Sequence, residues 1–135
     1  MTLLLVLFSC GKKADPVLPG VFLPGAVSEF RVQRIAEGIS LTWVMPGEAG
    51  GVTRFRILRS ELETGGAGCP GCPREYLLID DLAPGARQLV REAGGMHRYN
   101  DFTVRPGRLY TYRVMVCYGS DVCSEARDSA DIKFD

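Results

Sequence analysis

Any chemistry in this chain has to come from its five cysteines and its single histidine, His97. Cys69-Pro70-Gly71-Cys72 sets two thiols at the ends of a four-residue turn. Pro second and Gly third are what a type II turn asks for. Such a turn brings its ends within about 7 Å, inside the reach of a disulfide. The same pair could also work as a redox dithiol or as half of a metal site. A catalytic dithiol places its first cysteine at a helix N-terminus, which lowers its pKa. Here Gly65-Gly66 and Gly68 precede the motif and Pro73 follows it, so its surroundings read as loop and strand. Cys117 and Cys123 flank Tyr118-Gly119-Ser120-Asp121-Val122. If Gly119 to Asp121 turn a hairpin, residues 117 and 123 face each other with Cβ atoms about 4.5–5.5 Å apart. That is a small adjustment from disulfide geometry. A Ser-His-Asp site would have to use His97 with Asp101 nearby, but no Gly-x-Ser-x-Gly elbow occurs. His97 is expected at the surface beside a strand start.

Cys10 is a different case. It closes an apolar run, Leu3-Leu4-Leu5-Val6-Leu7-Phe8-Ser9, and Gly11-Lys12-Lys13 follows. The run is short of the roughly 20 apolar residues that span a bilayer, but it suits the apolar part of an export signal. A small residue then cysteine at the end of such a run resembles the lipobox of bacterial lipoproteins. Leu7 and Ser9 fit that pattern, and Phe8 is bulkier than usual. Only Met1 and Thr2 precede the run, where a signal carries a basic stretch, so the true start is expected upstream. The resemblance implies cleavage before Cys10 and a covalent lipid on it. Gly11 at the next position implies the outer membrane, facing the periplasm. The expected organisation is a signal over 1–9, a lipidated Pro/Gly-rich tether over 10–25 and one domain over 26–135. Extended as polyproline II, the tether holds that domain roughly 40 Å from the membrane.

Export changes the reading of the remaining cysteines. Cys69, Cys72, Cys117 and Cys123 then read first as disulfides. The alternatives stay open. Cys-Pro-Gly-Cys-Pro resembles a zinc knuckle, and Cys117 with Cys123 could complete a Cys₄ site, although their spacing exceeds the usual two to four residues. Three disulfide connectivities are also possible. No metal or cofactor is expected beyond the lipid on Cys10. The acidic pairs Asp80-Asp81 and Glu61/Glu63 read as solvated edges, since no calcium-binding loop surrounds them.

The elements that hold these residues have the period of strands. The chain has 135 residues, enough for one domain. Its 16 basic and 16 acidic residues cancel, which leaves no footprint for nucleic acid. Phe30 and Val32 alternate with charged neighbours. Ile39, Leu41 and Trp43 follow after a Glu37-Gly38 turn. Phe55 and Ile57 mark a third strand, and Tyr76 to Ile79 a fourth. Tyr99, Phe102 and Val104 suggest a fifth, and Tyr110, Tyr112, Val114 and Val116 share one face of a sixth. Residues 122–134 hold a weaker seventh. Leu82 to Glu92, with Pro84-Gly85, reads as a loop. Short alternating runs between turn signals predict an all-β, immunoglobulin-like sandwich.

The order of landmarks resembles the fibronectin type III family. Trp43 lies on the second strand, with Pro46 closing it. Val104-Arg105-Pro106-Gly107-Arg108-Leu109-Tyr110 looks like the family's Leu-x-Pro-Gly-x-x-Tyr lead into the sixth strand, with Val104 in place of Leu. The resemblance implies a seven-strand sandwich with Tyr110 as the tyrosine corner. It also implies that the third and sixth strands are neighbours.

With Phe55, Ile57, Tyr112 and Val114 inward, Arg54, Arg56, Leu58, Arg113 and Met115 should face outward as a cationic docking surface. The expected function is a non-catalytic binding or scaffold domain. It is lipid-anchored in a bacterial envelope and meets another envelope protein or a glycan. The alternative is an envelope redox or zinc protein working through Cys69 and Cys72.

Overall fold

The computed structural model describes residues 25–45, 51–64, 73–119 and 122–135. Cys10, the tether up to residue 24 and the Cys69/Cys72 pair lie outside the described residues.

Two sheets face each other. The first has the order β1 (Ser28–Ile35), β2 (Gly38–Val44), β6 (Met96–Asp101), β5 (Leu89–Arg91). The second runs β10 (Ile132–Phe134), β7 (Arg108–Tyr118), β3 (Val52–Glu63), β4 (Leu77–Leu82), with β8 (Val122–Cys123) and β9 (Arg127–Asp128) also on β7. All pairings are antiparallel. A 3₁₀ turn, Ala93–Gly95, precedes β6.

Period-2 alternation explains the core. Ile39, Leu41 and Trp43 of β2 are fully buried, as are Tyr110, Tyr112, Val114 and Val116 of β7. Phe55 and Ile57 of β3 complete the layer. Trp43 meets Phe55 across the sheets with ring centroids 5.6 Å apart. Each such side chain contributes roughly 1.5–3 kcal/mol by leaving water. The third and sixth expected strands are indeed neighbours, since β3 pairs with β7 from Val52↔Tyr118 to Glu63↔Arg108.

Several boundaries differ from the sequence expectation. The Leu82 to Glu92 stretch contains β5, because Leu89 is buried opposite Tyr99 of β6. The strand expected through Val104 stops at Asp101. There the Asp101 carboxylate accepts the Thr103 N–H at 2.9 Å, a side-chain turn that ends the strand. Phe102 is left 60 % exposed. Tyr76 precedes β4 and is not part of it. The seventh strand is broken into β8, β9 and β10. At the two breaks serine hydroxyls replace ladder partners. Val116 N–H donates to Ser124 Oγ at 3.0 Å, and Tyr112 N–H donates to Ser129 Oγ at 2.9 Å. The sandwich therefore has ten short strands among the described residues, not seven.

One glycine is required by contact. A Cβ on Gly38 would lie 2.2 Å from the Asp101 carbonyl oxygen. Only glycine lets the β1–β2 turn pass the end of β6 this closely.

Candidate functional site

Among the described residues, Asp101 at the end of β6 is a fully buried carboxylate with four hydrogen bonds. Its Oδ2 accepts from Arg59 Nη1 at 2.7 Å and from Tyr112 Oη at 2.8 Å. Its Oδ1 accepts from the N–H of Thr103 at 2.9 Å and from Thr103 Oγ1 at 2.7 Å. Burial alone would raise the Asp101 pKa, but the hydrogen bonds from Thr103, Arg59 and Tyr112 outweigh it and hold the carboxyl below its usual range. Burial likewise works against the Arg59 charge, and the Asp101 contact reverses that and raises its pKa. Burial first, and then the Asp101 charge, push the Tyr112 hydroxyl far up. The guanidinium also lies over the Tyr110 ring, 5.3 Å from its centroid. This group ties the two sheets together.

Tyr110 forms the expected corner. Its hydroxyl accepts the Arg105 N–H at 2.7 Å. Gly107, with φ 79°, turns the chain into β7, and its N–H donates to Phe134 O at 2.7 Å.

The five residues expected to form a docking surface lie together on the outward side of the second sheet. Arg56 pairs with Met115 and Leu58 with Arg113 in register, and all are half-buried. Its charge differs from expectation. Arg54 reaches Asp81 at 3.0 Å and Arg56 reaches it at 3.8 Å. Arg113 Nε donates to Asp128 at 2.6 Å and its guanidinium stacks on Tyr76 at 3.7 Å. The charge of the face is thus partly offset by Asp81 of β4, which Arg54 and Arg56 share, and by Asp128 of β9, which a reading confined to β3 and β7 did not include. Leu78, 54 % exposed beside Leu58, adds apolar surface.

The chain also covers part of this face itself. Residues 73–76 cross it before entering β4. Arg74 bonds Thr111, and its guanidinium grips Asp131 through two bonds of 2.6 and 2.7 Å. Those contacts hold the Asp131 carboxyl below its usual pKa. Ser60 and Thr111 are buried although they stand on the outward side.

His97 is a correction. It is 5 % exposed, not a surface residue. It pairs with Trp43 across β2 and β6, stacks parallel to its ring and lies 5.1 Å from the Phe55 centroid. Its Nδ1 lies 3.1 Å from Gly95 O, a contact that suits a donating Nδ1–H. Burial lowers its pKa, the Gly95 contact offsets part of that, and nearby Arg91 adds to the lowering. Cys117 and Cys123 form a disulfide across β7 and β8, as the hairpin register predicted.

Sequence reasoning missed Arg59 and considered Asp101 only as a neighbour of His97. The signal was there: Arg59 shares the inward parity of Phe55 and Ile57, and a buried cation demands a buried acid.

No family model and no curated protein sequence matches the chain. Solved structures do. The Twitchin kinase region from C. elegans (Fn31-NL-kin-CRD-Ig26) aligns with TM-score 0.54 at 15 % identity, over 83 % of this chain and 17 % of that one. The pectate lyase Pel3 from Pectobacterium carotovorum aligns at TM-score 0.46 and 21 % identity, over 76 % and 26 %. Domains A168–A170 of titin align at TM-score 0.47 and 13 % identity, over 82 % and 32 %. The chain therefore spans a third or less of the length of each. At these identities the likeness is one of fold. The chain is an all-β two-sheet sandwich, and its likeness to the twitchin region is to a chain built with immunoglobulin and fibronectin type III domains.

Proposed function

We propose that this protein is a non-catalytic binding module of a bacterial envelope. It is tethered through a lipid on Cys10 to the outer membrane, faces the periplasm and meets another envelope protein. The observation that carries this reading is the outer face of the second sheet. Leu58, Leu78 and Met115 put partly exposed apolar surface there, interleaved with the ion-paired Arg56 and Arg113. Exposed apolar side chains among paired charges suit a protein interface, where Met and Arg are enriched.

The chain direction supports the tether. β1 begins opposite Val44, at the end where β3 also starts, and the Tyr110 corner lies at the other end.

The anchor and the face are tested separately. Cys10→Ser should release the protein or leave it unprocessed. Normal processing and attachment of that variant would sink the lipoprotein reading. A photo-crosslinker at Leu58 should capture one envelope protein, and Met115→Asp should abolish the adduct. An adduct that survives Met115→Asp places the interface elsewhere.

A further inference from the structure

We infer that the outer face of the first sheet is a binding site for a neutral oligosaccharide. A groove of about 490 Å³ crosses β1 and β2 there, lined by Glu29, Arg31, Gln33, Ser40, Thr42 and Met96. The register aligns these groups in rows, with Arg31 opposite Thr42 and Gln33 opposite Ser40.

The chemistry of the groove sets it apart from the other face. On the second sheet the arginines are already bound to Asp81, Asp128 and Asp131. In the groove the side chains of Glu29, Arg31, Gln33, Ser40 and Thr42 make no hydrogen bond or ion pair to another described residue. They supply a guanidinium fork, an amide, two hydroxyls and a carboxylate, all on one concave surface. A sugar hydroxyl both donates and accepts, so a ligand rich in hydroxyls can satisfy every one of them. The Met96 thioether offers a soft contact for the C–H face of a ring. One carboxylate and one guanidinium cancel, so charge complementarity selects a neutral ligand over an acidic or basic one.

The backbone adds a second observation. The β1–β2 register shifts between Ser28 and Arg31, and Glu29 at that bulge has φ 50°. A non-glycine residue held in the left-handed region costs energy, and such residues cluster at ligand sites. Bulges re-aim side chains in this way. Here the residue so placed is Glu29, which lines the groove.

The inference is independent of the Cys10 anchor and of the second-sheet interface. The test is an NMR titration of the ¹⁵N-labelled full chain with cellohexaose, maltohexaose and chitohexaose in turn. At least one should move the amides of Arg31, Gln33, Thr42 and Met96 saturably. Arg31→Ala combined with Gln33→Ala should weaken that binding by at least about tenfold, while Glu125→Ala leaves it unchanged. Thr42→Val, which removes one hydroxyl at nearly constant shape, should also weaken it and guards against misfolding of the double variant. Four results would overturn the inference. They are no response to any hexaose, shifts confined to Leu58 and Met115, the same shifts on concentrating the protein without sugar (a second copy as occupant), or a response only to an acidic heparin hexasaccharide.

Discussion

Arg59 on β3 and Asp101 on β6 meet at 2.7 Å across the two sheets, and Tyr112 on β7 donates to the same carboxylate oxygen at 2.8 Å. One carboxylate thereby joins three strands at the end of the sandwich that carries the tyrosine corner. Breaking such a pair strands a charge, so each partner is worth more to the fold than their mutual attraction suggests.

Asp101→Ala should therefore destabilise the protein by about 3–5 kcal/mol, measured by urea unfolding. Combining it with Arg59→Met should cost less than the two single changes added together, because no charge is then left unpaired. A cost for Asp101→Ala near that of an exposed ion pair, about 0–1 kcal/mol, would show that water reaches the site.

Acid should act in two stages. His97 is held neutral by burial, with its pKa below the ordinary value of 6.5. The unfolded chain then binds more protons, so stability falls as pH drops below about 6.5. Asp101 has its pKa held below the ordinary 3.8. Its contribution is present above that value and is lost as pH falls through it. Melting temperature against pH should show both limbs, and His97→Phe should remove only the upper one. A wild-type profile that stays flat between about pH 7 and 5 would contradict the buried neutral imidazole.

Tyr110→Phe should cost about 1–2 kcal/mol, since it strips the Arg105 N–H of its acceptor in the corner. Faster amide exchange at Arg105 should accompany the loss. Unchanged exchange would mean that the backbone finds another partner.

The broken last strand makes its own forecast. Ser124→Ala leaves the buried Val116 N–H unmatched and should cost about 1–3 kcal/mol. Reducing the Cys117–Cys123 bond should cost about 2 kcal/mol more. Thiol titration of the purified, unreduced protein should find neither cysteine free. Free thiols at both positions would refute the clamp.

Much of this fold is visible along the chain because strand periodicity is local. Alternation alone placed Trp43, Phe55, Tyr110 and Val114 inward, and all are buried. The five-residue gap between Cys117 and Cys123 was enough to predict their bond, since a hairpin register depends only on its turn. The corner at Tyr110 came from the fibronectin type III resemblance, and the Arg105 hydrogen bond to its hydroxyl is in place. Where neighbours come from distant segments, local pattern misled. His97 looked peripheral beside a strand start, yet Trp43 and Phe55 pack against it. Arg54, Arg56 and Arg113 looked like a free cationic face, yet Asp81 and Asp128 arrive from β4 and β9 to offset part of its charge.

What the sequence determined by itself is the layer architecture and its aromatic core, through alternation that any one strand carries alone. Tertiary structure alone decided which charges are paired and which polar groups remain free. Arg59 acquires its partner 42 residues away, and the groove on β1 and β2 acquires none among the described residues. Pairing of charges depends on which strands become neighbours, and that is a property of the closed sandwich rather than of any segment within it.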